Sequence, residues 1–193
     1  MNKLIFATHN AHKLEEVSAM LKDFVNVAGL DELDFFEEIP ETADTLQENA
    51  LQKAQFIKQK FGCDCFADDT GLEVDALNGA PGVFSARYAG EPSNSEKNID
   101  KLLDALKNCD NRAAQFKTVI ALLQGNDIQY FNGIIRGKIT TERYGKGGFG
   151  YDAVFVPDGY KKTFAELSPE EKNAISHRGL AVKKLVDFLK TNQ

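Results

Sequence analysis

Apolar residues recur along the chain with two different periods, and these periods predict its secondary structure. Apolar stretches without helical spacing predict strands over residues 3–7, 25–28, 64–68, 72–74, 113–124, 128–139 and 153–156. Apolar residues three and four positions apart predict helices over about residues 11–22, 45–61, 94–107 and 177–190, with another starting at Ser168. Strands and helices alternate early and two long strands follow, which indicates an α/β fold with a mixed sheet flanked by helices.

Polar residues and glycines between these segments predict where they begin and end. Thr45 with Glu48 fits a capping box at a helix start, and Ser168 is followed by a proline suited to the first helical position. Gly125-Asn126 predicts a hairpin turn between the two long strands. Asp69-Thr70-Gly71 is expected to separate two strands, Ala80-Pro81-Gly82 to form a turn, and residues 31–38 to be irregular.

Length and composition bound the class of protein. The 193 residues, 42% hydrophobic and 27% charged, fit one soluble domain spanning 1–193. A net charge of -6 argues against a nucleic-acid-binding surface. No stretch approaches the roughly 20 apolar residues of a membrane span, and the N-terminus is a poor signal peptide, so we expect a cytoplasmic protein without a membrane partner. Cys63, Cys65 and Cys109 are expected to be reduced thiols.

The segment Thr8-His9-Asn10-Ala11-His12-Lys13 lies between a predicted strand and a predicted helix. Unpaired backbone N–H groups at the helix start, polar side chains and the Lys13 charge together suit a phosphate. The alternative is ordinary capping of the helix by Asn10 with a solvated Lys13. The residues alone leave both interpretations open.

A metal site is predicted around Asp68-Asp69-Thr70-Gly71. Adjacent carboxylates are hard oxygen ligands suited to Mg²⁺, and one of them could instead act as a general base; a polar turn is the alternative. Glu41 lies in a loop without an evident structural role and is preferred as a further ligand, because Glu48 is explained by the capping box. Lys53, on the following helix, could reach either solvent or a phosphate.

Two later segments carry further candidate contacts. Residues 145–152 contain four glycines in six positions, and Phe149 in such a loop could stack on a nucleobase or fold into the core. Lys172, His177 and Arg178 lie near the junction of two helices. They could pair with nearby acids and cap a helix, or donate hydrogen bonds to a carbonyl oxygen or a phosphate.

Five segments in register resemble the inosine triphosphatase family of non-standard purine nucleoside triphosphate diphosphatases. They extend over nearly the whole chain: Phe6–Asn10 with Lys13, Glu48–Ala50 with Lys53-Ala54, Ala67–Leu72 continuing to Ser85–Gly90, Gly148–Asp152, and Ser176–Gly179. Thr70 stands where many members have Ser, and Ala153 where Pro is common; neither change removes a functional group.

The resemblance implies an elongated mixed α/β sheet with two lobes, a central substrate cleft and a homodimer. It implies Mg²⁺-dependent hydrolysis of dITP, ITP and XTP to the monophosphate and pyrophosphate, which would cleanse the nucleotide pool. Glu41 and Asp69 would hold Mg²⁺, Asp69 would also be the base for water, and Asp68 would support them. Residues 8–13 and Lys53 would contact phosphates. The nucleotide site would be lined by Thr70, Phe149, Gly150, Tyr151, Asp152, Lys172, His177 and Arg178.

Selectivity would come from donors near His177-Arg178 that fit the 6-oxo group of hypoxanthine or xanthine and reject the amino group of adenine. Two alternative functions are a related diphosphatase of pyrimidine or modified nucleotides and a nucleotide sensor without turnover. The His177-Arg178 pair disfavours the first, and the carboxylates Glu41, Asp68 and Asp69 disfavour the second.

Overall fold

The structure, a computed structural model, describes residues 3–191. Helices and strands alternate through the first half of this region and then give way to a long hairpin. In chain order the elements are β1 (Lys3–Phe6), α1 (Ala11–Leu21), β2 (Asn26–Ala28), α2 (Leu46–Phe61), β3 (Cys65–Val74), β4 (Pro81–Gly82), α3 (Ser95–Ala105), β5 (Ala113–Gln124), β6 (Asp127–Ile139), β7 (Phe155–Pro157), α4 (Pro169–Ile175) and α5 (His177–Thr191).

The strands form one mixed sheet in the order β2-β1-β3-β5-β6-β7, with β4 paired to β3. Strand β1 is parallel to both β2 and β3. Strand β4 is antiparallel to β3, and β7 is antiparallel to β6. The prediction of a mixed α/β sheet flanked by helices is confirmed.

The chain folds as two compact units. Unit 1 contains the described residues up to Asp69, Thr118–Gly133 and the described residues from His177; unit 2 contains Thr70–Lys117 and Ile134–Ser176. Strand β3 therefore begins in unit 1 and continues into unit 2. The candidate site residues divide between the two units.

Unit 1 has apolar side chains on both faces of its strands. Leu4 and Phe6 of β1 pack in one cluster with residues of α1 and α5, whereas Ile5 and Ala7 pack in another with residues of α2. Successive side chains of a strand point to opposite faces, so a parallel strand covered on both sides is apolar throughout. The Phe6 ring stacks on Phe66 of β3, with 4.5 Å between the ring centroids.

Unit 2 has a single described core cluster that is rich in aromatic rings. Leu72 and Val74 of β3 pack there with the buried face of α3. Phe116, Phe155 and Phe164 meet at ring-centroid distances of 4.8 to 6.1 Å. This cluster supports the segment that contains the predicted nucleobase loop.

The predicted break at Asp69–Gly71 is wrong, because β3 runs through these residues without interruption. Gly71 serves a close backbone contact rather than a turn: a Cβ atom there would lie 2.7 Å from the Gly82 carbonyl oxygen. The neighbouring Leu72 N–H donates to Ser85 Oγ at 2.9 Å, and Leu72 pairs with Gly82 of β4. Ala80–Gly82 accordingly supplies a short strand as well as a turn.

Most helix starts agree with the sequence. Asn10, Asn94 and Ser168 accept backbone hydrogen bonds at the starts of α1, α3 and α4. At α2 the Thr45 hydroxyl accepts from the Glu48 N–H, which is half of the predicted capping box. The other half is missing, because the Glu48 carboxylate accepts from the Thr45 hydroxyl instead of the Thr45 N–H. Two predicted segments differ further: Leu30–Leu33 forms a 3-10 turn, and β7 starts at Phe155 after a 3-10 turn over Asp152–Val154.

Candidate active site

The phosphate loop, residues 8–13, joins β1 to α1 in unit 1. The Asn10 side-chain oxygen accepts from the Lys13 N–H at 3.2 Å, and the Asn10 N–H donates to Thr8 Oγ1 at 3.2 Å. Ala11 and His12 form the exposed first turn of α1, where backbone N–H groups lack helical acceptors. Asn10 thus caps the helix, but the expected alternative of a solvated Lys13 is wrong, because Lys13 Nζ lies 2.8 Å from Asp68 Oδ1. Phosphate binding by this loop stays a prediction.

His9 is exposed and contacts a different segment of unit 1. Its Nε2 lies 2.7 Å from the Glu37 carbonyl oxygen. Its ring stacks on Phe35, with 5.7 Å between centroids. The His9 side chain therefore contacts the loop that leads to Glu41.

Asp68 is buried between two cations of unit 1. Its Oδ1 lies 2.8 Å from Lys13 Nζ, and its Oδ2 lies 3.3 Å from Arg178 Nε. Burial alone would raise the pKa of Asp68, but the surrounding cations outweigh this effect and hold that pKa well below its ordinary value. Asp68 is therefore a permanent carboxylate that orders both cations.

Glu16 is a residue that the sequence analysis missed. Arg178 is buried, and its Nη1 lies 2.6 Å from Glu16 Oε2 on α1. Burial opposes the charge of Arg178, but Asp68 and Glu16 more than compensate and raise its pKa. Glu16 lies three positions after Lys13, on the same helical face, which is the signal that could have identified it.

Asp69, Glu41 and Lys53 form a second charged group in unit 1. The buried Lys53 Nζ contacts Glu41 Oε1 and lies 3.6 Å from Asp69 Oδ1. Burial raises the pKa of Asp69 despite the opposing charge of Lys53. Burial would lower the pKa of Lys53, yet Asp69 and Glu41 raise it above its ordinary value. Two carboxylates thus converge on one cation.

Asp68 and Asp69 point to opposite faces of β3 because the strand continues through them. Asp68 meets α1 and α5, which cover one face, whereas Asp69 meets α2, which covers the other. The sequence predicted that both adjacent carboxylates belong to one metal site. In the structure their direct ion pairs differ: Asp68 contacts Lys13 and Arg178, whereas Asp69 lies near Lys53.

The glycine-rich loop belongs to unit 2 and is organised by Asp152. The Asp152 Oδ2 atom accepts from the Phe149 N–H at 2.8 Å and lies 2.8 Å from Lys172 Nζ. A Cβ atom at Gly148 would lie 2.2 Å from that oxygen. Lys172 Nζ also lies 4.9 Å from the centroid of the Phe149 ring, which is half-buried. Asp152, Phe149 and Lys172 therefore lie together, and their contact with a nucleotide stays a prediction.

Tyr151 is the core anchor of this loop. Its buried hydroxyl donates to the Ser85 carbonyl at 2.8 Å, and burial raises its pKa. The neighbouring Gly150 has a φ of 61°, a conformation that favours glycine. Thr70, half-buried, is the first residue of unit 2 on β3. A nucleotide contact by Tyr151, Gly150 or Thr70 stays a prediction.

His177 begins α5 in unit 1, directly against strand β6. A Cβ atom at Gly133 would lie 1.9 Å from the His177 carbonyl oxygen, so only glycine permits this approach. His177 and Arg178 are both buried. The close contact fixes the start of α5 and with it the guanidinium that reaches Asp68.

Comparison with known proteins decides the family. A model of the Ham1 family matches residues 4–188. The chain belongs to the Ham1 family. The resemblance predicted from the sequence motifs is thereby confirmed.

Relatives and solved structures agree along the whole chain. The chain is 57% identical to the dITP/XTP pyrophosphatase of Porphyromonas gingivalis, with 98% of each chain covered. It is 56% identical to the dITP/XTP pyrophosphatase of Flavobacterium johnsoniae, with 97% of each covered. The structure of a Ham1 protein from Coxiella burnetii has a TM-score of 0.91 at 40% identity, covering 99% of this chain and 100% of that one. The Ham1 fold is shared over the full length.

Residues 3–191 lack a three-ligand metal group, a membrane-spanning helix and a disulfide bond. Within residues 3–191, no group of three or more His, Cys, Asp and Glu side chains is arranged to hold a metal ion. None of the described helices is long and apolar enough to cross a membrane. The three cysteines are free thiols, as predicted, and burial raises the pKa of Cys65 to about 12.

Proposed function

We propose that this Ham1-family chain hydrolyses dITP, ITP and XTP to the corresponding monophosphate and pyrophosphate. Relatives at 56% and 57% identity are named dITP/XTP pyrophosphatases. The observation that carries the proposal is the convergence of Glu41 and Asp69 on the buried Lys53 ammonium. A reaction that transfers a phosphoryl group to water needs such a combination of carboxylates and cations.

The charge of the unit 1 cluster supports a requirement for a divalent cation. We define the cluster as the three cations Lys13, Lys53 and Arg178 and the four carboxylates Glu16, Glu41, Asp68 and Asp69. Three positive and four negative charges leave a formal charge of -1 before a substrate binds. A triphosphate is strongly anionic, so its binding here would be opposed unless a cation accompanies it.

Glu41 and Asp69 fit as ligands of that cation, which we propose is Mg²⁺. Their oxygens already converge on one positive charge, and Mg²⁺ usually takes one or two protein carboxylates together with substrate phosphates and water. A two-carboxylate site also agrees with the absence of a three-ligand group in residues 3–191. When bound, Mg²⁺ would offset charge that develops on the leaving pyrophosphate.

Asp69 is the proposed general base for the attacking water. In the metal-free protein burial raises the pKa of Asp69, the direction that makes a carboxylate a stronger base. Lys53 and Lys13 would offset phosphate charge, and Asp68 would hold Lys13 and Arg178 in place.

Selectivity is proposed to depend on donors at His177 and Arg178. A 6-oxo group would accept from them, whereas the amino group of adenine would leave them unpaired, a difference that can reach roughly 10⁴-fold. The Asp68 and Glu16 contacts hold the Arg178 guanidinium in one orientation, which such discrimination requires. We further expect a cytoplasmic homodimer, which size-exclusion chromatography with light scattering would test.

Product analysis tests the proposed reaction. The protein is incubated with Mg²⁺ and, separately, dITP, XTP, ATP, GTP and dTTP. Monophosphate and pyrophosphate from dITP and XTP, with ATP and GTP nearly untouched, are expected. Release of orthophosphate, preferential use of dTTP, or equal use of every nucleotide would contradict the proposal. Tight binding of dITP without any product would indicate a sensor.

Matched variants test the proposed residues. Asp69→Asn should lower the rate of pyrophosphate release by about 10²- to 10⁴-fold, the range of general-base catalysis. Glu41→Gln should raise the Mg²⁺ concentration needed for half-maximal activity. Glu48→Gln is the control, because that exposed carboxylate accepts from the Thr45 hydroxyl at the start of α2. An equal effect of the Glu41 and Glu48 changes would remove Glu41 from the metal site.

A further inference from the structure

His9 belongs to the phosphate loop, but its contacts point to a role other than phosphate binding. Its Nε2 lies 2.7 Å from the Glu37 carbonyl oxygen, 28 positions along the chain. A carbonyl oxygen only accepts hydrogen bonds, so Nε2 must carry the proton and donate. The ring stacks on Phe35 with an interplanar angle of 26°. The side chain therefore makes a directional and an apolar contact with the same segment.

That segment is the Glu41 loop, residues 34–45, and Phe35 fixes its first end. The Phe35 side chain is buried, and its N–H donates to the Leu30 carbonyl at 3.1 Å. Its ring lies 5.9 and 5.8 Å from the rings of Phe56 and Phe61. The chain then passes Glu37, where His9 is attached, on its way to Glu41.

Side-chain amides of α2 fix the second end of the Glu41 loop. Gln52 accepts from the Thr42 N–H at 3.0 Å and donates to the Thr42 hydroxyl at 2.9 Å. Asn49, which is buried, accepts from the Ala43 N–H at 2.9 Å. Helix α2 also carries Lys53, so these contacts set the position of Glu41 relative to Lys53. The His9 contact sets its position relative to the phosphate loop.

We propose that His9 is a positioning residue that ties the Glu41 loop to the phosphate loop through the Glu37 carbonyl. This inference rests on the proposed function, in which Glu41 binds the metal and the phosphate loop binds the triphosphate that the metal accompanies. The link holds the two ligand-bearing segments at a fixed separation before substrate arrives. Preorganisation of this kind improves binding because less ordering remains to be done.

Two substitutions at His9 separate its hydrogen bond from its ring. His9→Phe keeps an aromatic ring for Phe35 but has no donor for Glu37. His9→Gln keeps an N–H donor and loses the ring. Loss of one net hydrogen bond shifts a local equilibrium by about two- to tenfold. We expect His9→Phe to accelerate amide hydrogen exchange in residues 36–42 of the nucleotide-free protein by that factor, and His9→Gln to accelerate it less.

Lys60→Met is the comparison variant, because it disturbs the same loop from the other side. Lys60 Nζ lies 3.0 Å from Glu37 Oε2 and 4.5 Å from the centroid of the Phe35 ring, but both charged side chains are exposed. His9 is exposed too, but it bonds the backbone of residue 37, whereas Lys60 pairs with an exposed carboxylate. Exposed ion pairs contribute little, so exchange in residues 36–42 should change less than in His9→Phe. An equal change in the two variants would overturn a special role for His9.

Direct binding of Mn²⁺, measured by electron paramagnetic resonance, supplies a readout that needs no turnover. Mn²⁺ affinity with a non-hydrolysable triphosphate should fall by about two- to tenfold in His9→Phe and recover partly in His9→Gln. Unchanged exchange with weaker triphosphate binding would mean that His9 contacts phosphate directly, and the proposal would be overturned. Faster exchange with unchanged Mn²⁺ affinity would also overturn it. Both measurements remain interpretable if the proposed hydrolysis itself proves wrong.

Discussion

Asp68→Asn tests whether the buried charges of unit 1 stabilise the fold or only serve a substrate. The substitution keeps the shape of the side chain and one acceptor oxygen but removes the negative charge between Lys13 and Arg178. Arg178 retains Glu16 as a partner. Lys13 is left with burial and the nearby cations Lys53 and Arg178, which lower its pKa, and with Asp69 as the remaining carboxylate that raises it.

The expected loss follows from the burial of the pair. Removing one partner of a buried ion pair costs about 3–5 kcal/mol, because the other charge stays desolvated. Asparagine still accepts a hydrogen bond and Lys13 retains some contact with water, so we expect the lower end, about 3 kcal/mol of the free energy of unfolding. For a chain of this length that corresponds to a melting temperature lower by about 6–12 °C.

The pH dependence of this loss distinguishes a charge effect from a packing effect. The pKa of Asp68 is lowered in the folded protein, so its stabilising contribution is present above the pKa of the unfolded chain, about 3.9. That contribution is lost as the pH falls through the folded pKa. The difference in stability between wild type and Asp68→Asn should therefore be constant from about pH 5 to 7 and shrink below about pH 4.

Urea denaturation followed by circular dichroism at several pH values measures both quantities. Asp75→Asn is the matched control, because Asp75 pairs with Arg136 at 2.7 Å in an exposed position of unit 2. Exposed pairs contribute little, so this variant should unfold like the wild type. A stable Asp68→Asn variant, or a loss of stability that is as large at pH 3 as at pH 5 to 7, would refute the electrostatic argument.

Alanine substitutions at Gly148 and Gly133 test two close contacts, one for its effect on KM and one for its effect on stability. Gly148→Ala should raise the KM for dITP in a steady-state assay by about tenfold, because the new Cβ atom would displace Asp152 Oδ2, the acceptor of the Phe149 N–H. Gly150→Ala is its control: the Cβ atom there would meet nothing within 4 Å, so the KM should rise less. Gly133→Ala should lower the free energy of unfolding by about 1–3 kcal/mol, since its Cβ atom would lie 1.9 Å from the His177 carbonyl oxygen; an unchanged thermal melt would contradict that close packing.

Local signals sufficed for most of the secondary structure. The caps at Asn94 and Ser168 act through backbone groups three positions away, so the sequence predicts them directly. The hairpin turn at Gly125-Asn126 likewise depends on adjacent residues, and β5 and β6 end on either side of it. The break predicted at Gly71 failed because the reason for that glycine is the Gly82 carbonyl, which only the folded chain brings near.

The candidate site shows the same difference between local signals and contacts that only the folded chain makes. Residue types and their order predicted its members, but the partners of each charge depend on tertiary contacts. Lys13 pairs with Asp68 across 55 positions, and Arg178 pairs with Asp68 across 110. Such pairs have no local signature. Lys172 was expected to meet acids of its own capping turn or a nucleotide, and its partner in unit 2 is Asp152, 20 positions away.

The two adjacent aspartates of β3 illustrate how one strand can supply two different carboxylates. Because side chains alternate across a strand, Asp68 is placed among cations that lower its pKa, whereas burial raises the pKa of Asp69. Neighbouring acids whose pKa values are pushed apart are suited to different tasks. Asp68, permanently charged, can organise Lys13 and Arg178, and Asp69 can accept a proton. A turn at this point would have removed the alternation, so the continuity of β3 is what makes this division of roles possible.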